Sequence, residues 1–411
     1  MDLLSGDDHV IVVGAGLAGW RFVEALRRDG YEGALTLIGN EVHLPYDRPP
    51  LSKQVLSGKW EPDQTALATD ELVSSLEVTT HLGVAAQQLD VATTTVRLDN
   101  GTSVAGTRVV LATGTRARQL PLSAASSLHT LRSRDDVVRL TNRLNTLAEG
   151  DPVVVIGGGF IGAEAATALA ARGLRPIILE AAERPLLNVV GPSVSTWLEG
   201  LAPAARIELR TSQQITDVLA NDNGFVVHFE SGDTLVAPLV VLSVGASANI
   251  EWLATSGLTI DNGVVVNTDL VANESNGAIG AIGDVACFEW QSVVGTELVR
   301  IEHWQTANDH AAHLAKFWTT GEQSTSLMIP YFWSDQYGKK IQMLGHPRPS
   351  DDVTLVNGSL DDAKWTALFS RDGVVNGVIA LSQPRALMLS RPLLEHVTTL
   401  KSALELAPWG N

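Results

Sequence analysis

Two doubly wound α/β domains followed by a smaller α+β domain are predicted by three features of the sequence. A unit of apolar strand, glycine turn, alanine-rich helix and second strand occurs twice; a hairpin-like stretch follows each copy; and alternating strands close the chain. The copies are HVIVVGAGLAGWRFVEALRRDGYEGALTLIGNE from His9 and PVVVIGGGFIGAEAATALAARGLRPIILE from Pro152. Strands alternating with helices in this way imply parallel sheets covered by helices on both faces. The stretches TTTVRLDNGTSVAGTRVVLATG and GFVVHFESGDTLVAPLVVLSVG turn at Asp99-Asn100-Gly101 and Glu230-Ser231-Gly232, and each closes on a strand that ends in glycine. The last segment offers the strands KKIQML, DVTLVNG, KWTALFS and VVNGVIAL, the final two joined by Arg371-Asp372-Gly373, then a helical stretch from about Arg385 to Leu404. These patterns divide the chain into residues 1–114 with 244–322, residues 115–243, and residues 323–411.

Composition narrows the function. A formal charge of −17 over 411 residues argues against a nucleic-acid partner, because phosphate binding draws on a positive face. The last segment is the least repulsive toward an acidic partner, with 8 Lys/Arg against 9 Asp/Glu in residues 321–411 and 21 against 37 in the rest. Cys287 is the single cysteine, which rules out an intramolecular disulfide or a two-cysteine relay and fits a reducing cytoplasm. The N-terminal MDLLSGDDHV carries acids where a signal peptide needs bases, and no apolar run reaches the ~20 residues of a membrane span. A soluble cytoplasmic protein is expected, with no metal and no membrane partner.

In the first unit Gly14, Gly16 and Gly19 form G-x-G-x-x-G directly after a strand. The first glycine makes the tight turn, the second lets backbone approach a pyrophosphate, and the third lets the helix pack closely. The helix N-terminus offers N–H groups and partial positive charge to the phosphates. Glu41 lies past the next strand, where an acid meets a ribose. The second unit repeats the logic with Gly157, Gly159 and Gly162, and its second strand ends on Glu180, which suits a free ribose and repels a 2′-phosphate. NADH is therefore favoured over NADPH, although Arg184 lies four residues on. Two such sites imply one dinucleotide held and one exchanged, FAD and NADH. In IGAIGDVACF, Asp284 follows an apolar strand and a glycine, where a carboxylate at a helix N-terminus suits either a ribityl hydroxyl or a plain cap.

The order GxGxxG, PYDRPPLSK, LATG, GGGFIGAE, GAIGD, FWSDQY resembles the FAD-dependent, NADH-dependent ferredoxin reductases that serve bacterial cytochrome P450 and aromatic-ring dioxygenase systems. The resemblance runs from Val10 to the C-terminal domain and implies a glutathione-reductase-like pair of dinucleotide domains. It implies FAD contacts at the first glycine motif with Ala18, at Asn40 and Glu41, Arg48, Lys53, Ala86, Thr113, Gly114, Arg132, Asp284 and Trp304. On the NADH side it implies Gly157, Gly159, Phe160, Ile161, Gly162, Glu164, Glu180 and Gly245. The family often places an acid directly after the glycine that ends the second strand; here Asn40 stands there, so either Asn40 or Glu41 holds the ribose.

The same resemblance gives LPYDRPPLSK a role. Reduction leaves negative charge on a flavin, and Lys53, paired with Glu164, would supply the stabilising cation. Pro45, Pro49 and Pro50 fix φ and bias the residues before them to extended shapes, so the lysine would arrive on a stiff support. The implied reaction passes hydride from NADH to the flavin and single electrons onward to a [2Fe–2S] ferredoxin, with Trp304 and Trp333 near the ring. A reductase of rubredoxin or another acceptor, and an NADH-sensing flavoprotein resembling apoptosis-inducing factor, stay open as alternatives. A disulfide reductase of the same fold is disfavoured, since Cys287 reads as a small core residue. Arg300, Lys339, Lys340 and Arg348 are candidate docking cations, and a monomer is expected of a transient electron donor.

Overall fold

The computed structural model describes residues 2–323 and 328–410. The chain forms two compact units, Met1–Asp47 with Thr65–Arg116 and Ser247–Tyr331, and Arg48–Gln64 with Ala117–Ala246 and Phe332–Asn411.

The first unit is built on a five-stranded parallel sheet in the order Ile279–Ala281, Arg108–Leu111, His9–Val13, Ala34–Gly39, Val78–Leu82. Its central strand buries Val10, Ile11, Val12 and Val13, as a strand covered on both faces must. The helices Leu17–Arg28 and Trp304–Thr320 pack against each other, with the Phe22 ring edge-on to Trp318 at 5.7 Å between centroids. A three-stranded antiparallel sheet, Ala86–Asp90, Thr95–Leu98 and Ser103–Ala105, is hinged at the expected Asp99-Asn100-Gly101 turn.

The second unit repeats the plan. Four parallel strands run in the order Glu208–Arg210, Arg175–Leu179, Pro152–Ile156, Leu239–Leu242, and three antiparallel strands, Ile215–Asn221, Gly224–Phe229 and Thr234–Ala237, turn at Glu230-Ser231-Gly232. The C-terminal strands form a five-stranded sheet in the order Tyr331–Gln336, Lys339–Gly345, Val374–Leu381, Lys364–Arg371, Asp352–Ser359. One face of this sheet, with Ile341, Trp365, Phe369 and Ile379, buries Val190, Val194 and Leu198 of the helix Leu187–Glu199.

The C-terminal helical stretch is not continuous. It runs Pro384–Ser390, tightens at Arg391–Leu394, breaks, and resumes at Leu400–Leu406. Pro392 has no N–H to continue the helix, and the broken stretch instead hydrogen-bonds the neighbouring strand, Val375 N to Thr398 O at 2.9 Å.

Candidate functional site

Both glycine motifs adopt the geometry their roles require, with matching backbone bonds. Gly14 N donates to Ile38 O and Gly157 N to Leu179 O, each at 2.8 Å. Gly14 and Gly157 have φ of +124° and +106°, and a Cβ on either would stand 2.1 Å from the carbonyl oxygen of Ala112 or Ser243, so no other residue fits. A Cβ on Gly19 or Gly162 would lie 2.0 Å from the oxygen of Gly14 or Gly157, which sets how closely each helix packs. Gly16 and Gly159 differ: a Cβ there would meet nothing within 4 Å. These two are also the N-caps of the helices Leu17–Arg28 and Phe160–Ala171, and neither helix has a side-chain cap. An open approach to an uncapped twelve-residue helix is what a pyrophosphate requires, so both sites fit a dinucleotide.

Around the first motif, Ala18 packs on the Gly283 turn, where an added Cβ would lie 2.8 Å from the Ala18 Cβ. That contact sets Asp284 beside the glycine helix. Asp284 does not begin a true helix: the turn Gly283–Val285 passes straight into the strand Ala286–Ser292, held between Val264–Val266 and Gly295–Val299. The Asp284 carboxylate accepts from Thr115 Oγ1 at 3.3 Å and its carbonyl from Arg300 Nη1 at 3.1 Å. Arg300 is thereby a site-building group and not an open docking cation, since its side chain is 10% exposed and also pairs with Glu302. Thr113 donates Oγ1 to Asn249 O, and Asn249 returns its side-chain N–H to Thr113 O and its backbone N–H to Gly114 O. The Trp304 indole donates to Asp47 Oδ1 at 2.8 Å, and Tyr46 Oη donates to Glu41, while Asn40 is exposed. Ala86 begins an edge hairpin opposite Leu98.

In the second unit Glu180 accepts the Gly158 N–H at 2.7 Å and the Ala182 N–H at 2.8 Å, locking the strand-end acid onto the glycine loop. Arg184 is turned to Glu183 and Glu199. The Phe160 ring lies edge-on to Phe332 of FWSDQY at 4.4 Å, Ile161 is exposed, and Gly245 has φ +92° with its carbonyl taken by Arg118 N.

Lys53 and Glu164 pair at 2.8 Å, with side chains 12% and 2% exposed. Glu164 is a hub: Oε2 accepts from Lys53 Nζ and from Ser52 Oγ at 2.6 Å, and Oε1 accepts from Ser334 Oγ at 2.6 Å and from Asp335 N at 3.3 Å. Four donors converging on one buried carboxylate fix its position, and the charge-assisted bond from Lys53 is the strongest kind among them. Sequence reasoning missed Ser52 and Ser334, although both lie inside the quoted motifs. Lys53 itself stands in a helical turn: Pro50 has φ −69° and ψ −19° and caps the turn Leu51–Val55, in which Val55 N reaches Pro50 O. A proline at a helix start loses nothing, since its missing N–H would have had no partner. Arg48 donates Nη1 to Arg132 O at 2.9 Å, bringing together two expected FAD contacts.

Cys287 is buried, and desolvation pushes its thiol up from the usual range, so it offers no ready thiolate. Among the described residues no His, Cys, Asp or Glu cluster could hold a metal ion, and no helix is long and apolar enough to cross a membrane.

Residues 8–311 match the family described as pyridine nucleotide-disulphide oxidoreductase, and residues 331–407 match that described as reductase C-terminal. The chain is 33% identical to rhodocoxin reductase of Rhodococcus erythropolis, over 94% of this chain and 89% of that protein. It is also 33% identical to the ferredoxin reductase component of chlorobenzene dioxygenase from Cupriavidus sp. strain PS12, over 98% and 96%. Among solved structures it resembles the putidaredoxin reductase in its covalent complex with putidaredoxin, with TM-score 0.88 and 30% identity over 95% of this chain and 93% of that one.

Proposed function

The chain belongs to the pyridine nucleotide-disulphide oxidoreductase family, and on that premise we propose that it is an FAD-containing, NADH-dependent ferredoxin reductase. It delivers electrons singly to a [2Fe–2S] ferredoxin that feeds a cytochrome P450 or an aromatic-ring oxygenase, a reading supported by relatives named rhodocoxin reductase and the ferredoxin reductase component of a chlorobenzene dioxygenase. The observation that carries this reading is the pair of open, uncapped glycine cradles in a chain whose one cysteine, the buried Cys287, leaves no partner for an intramolecular disulfide relay.

Residues 1–114 with 244–322 are assigned to FAD, 115–243 to NADH, and 323–411 to the C-terminal domain. When bound, FAD supplies hydride acceptance and one-electron release. The protein's part is binding, orientation and charge. The Gly16 backbone and its helix N-terminus admit the FAD pyrophosphate, with Asp284, Thr113, Gly114 and Trp304 fixing the remainder. Gly159 does the same for NADH, and Glu180 keeps lone pairs for the ribose hydroxyls while repelling a 2′-phosphate. Lys53 is the cation that offsets charge developing on the flavin, and Glu164 holds it in place. The compartment assigned is the cytoplasm, supported by the single buried thiol.

The test is anaerobic stopped-flow. Flavin absorbance is followed with NADH and then NADPH before a [2Fe–2S] ferredoxin is added with cytochrome c as reporter. Fast bleaching by NADH, with cytochrome c reduced only when ferredoxin is present, is expected. A flavin that bleaches and then stays reduced with ferredoxin present would overturn the assignment in favour of a sensor or another acceptor.

A further inference from the structure

We propose that His310 is a positioning residue for the flavin site, whose neutral imidazole fixes the Gly283-Asp284 turn by accepting the Gly283 N–H. The inference rests on the reading of Asp284 as a flavin contact.

His310 sits on the helix Trp304–Thr320 and is 0% exposed. Gly283 N donates to its Nδ1 at 3.2 Å, and the Phe288 ring stands edge-on to the imidazole at 4.6 Å between centroids. A ring that accepts at Nδ1 carries its proton on Nε2, and Nε2 has no hydrogen-bond partner among the described residues. A buried N–H without an acceptor is unfavourable, so a side chain kept there in that form does something an apolar one would not.

The backbone explains what. Pairing along the strand Ile279–Ala281 ends when Ile282 N donates to Leu111 O. The next N–H, that of Gly283, leaves the ladder because Gly283 turns left-handed at φ +67° against Ala18. Without His310 it would be a buried orphan at the point where the chain redirects. With it, the turn is pinned at both ends, since Arg300 holds the Asp284 carbonyl at 3.1 Å. The backbone position from which the Asp284 side chain departs is therefore fixed, and its carboxylate is met by Thr115 Oγ1.

The experiment compares holoprotein of wild type, His310→Leu and His310→Gln. Leucine fills the space but accepts nothing, whereas the glutamine amide oxygen can accept the Gly283 N–H. FAD release after dilution is followed by recovery of free flavin fluorescence, and FAD affinity by titration. His310→Leu should weaken FAD binding by about tenfold, the scale of one lost hydrogen bond with an orphaned donor, and His310→Gln should recover most of it. Wild-type retention by the leucine variant, or equal losses in both variants, would overturn the proposal, because packing alone would then account for His310. If His310→Leu does not fold, His310→Asn, whose shorter side chain does not reach Gly283, takes its place with the same expectation. Asp284→Ala separates the two levels: if it leaves FAD affinity unchanged, the reading of Asp284 itself has failed.

Discussion

The Lys53–Glu164 contact makes a prediction whose size follows from its bonding. Glu164 is 2% exposed and accepts four hydrogen bonds; Lys53 is 12% exposed and donates to Glu164 and to Pro49 O. Glu164→Gln replaces one acceptor oxygen by an amide that only donates, so either orientation faces donors and Lys53 is left as an uncompensated buried cation. The expected cost is about 3–5 kcal/mol. Lys53→Met is milder, about 2 kcal/mol, because Glu164 keeps Ser52, Ser334 and the Asp335 N–H. The double variant has no stranded cation and should cost little more than Glu164→Gln alone, giving a coupling energy of about 2 kcal/mol. The assay is urea unfolding of FAD-free wild type, both singles and the double, read by circular dichroism and by tryptophan fluorescence so that coincident curves certify a single transition. Single effects that add to within about 0.5 kcal/mol would refute the reasoning, since two groups joined in one buried network cannot behave independently.

Other expectations concern specificity, docking and acid stability. Glu180→Ala should narrow the preference for NADH over NADPH, and an unaltered ratio of kcat/KM values would remove Glu180 from the ribose. Lys339→Glu with Lys340→Glu should raise the KM for a [2Fe–2S] ferredoxin while leaving flavin reduction by NADH unchanged, and unchanged ferredoxin kinetics would discard that pair as a docking site. Burial, with a contribution from His313, pushes His310 down from 6.5 to about 3, so the folded protein refuses a proton that the unfolded chain takes. Stability is therefore fully present above pH 6.5 and falls between pH 6.5 and 3, by about 2 kcal/mol at pH 5 from this group. His310→Gln should flatten the profile by that amount, and parallel profiles would show that His310 is protonated in the fold.

What the sequence made legible was local. A glycine at each fixed offset after an apolar strand specifies a turn, an approach and a packing distance, and Gly14, Gly16 and Gly19 adopt all three. The Asp-Asn-Gly and Asp-Gly turns mark hairpins because Gly, Asn and Asp enter the left-handed region at low cost, and Gly101, Asp372 and Gly373 all have positive φ. The errors arose where tertiary contacts compete with local preference. Arg300 reads as a surface cation in a list of charges, yet the carbonyl of Asp284 draws it inward. Residues 385–404 carry a helical pattern, but the strand containing Val375 captures Thr398. His310 has no sequence signal at all, since a histidine within a helix points to nothing until the fold sets Gly283 beside it.

The proline-rich segment shows how a local device serves a non-local end. Glu164 must present a fixed carboxylate to Lys53, and a carboxylate that accepts from one flexible lysine would be neither fixed nor dry. Pro50 caps a helical turn that delivers two of the donors together, Ser52 and Lys53, while the carbonyl of Pro49 holds the ammonium from behind at 3.2 Å. The third side-chain donor, Ser334, arrives from a strand 170 residues beyond Glu164, in FWSDQY. The C-terminal domain is therefore bonded directly to the carboxylate that positions Lys53, and a change in the strand Tyr331–Gln336 has a two-bond route, through Ser334 and Glu164, to that lysine.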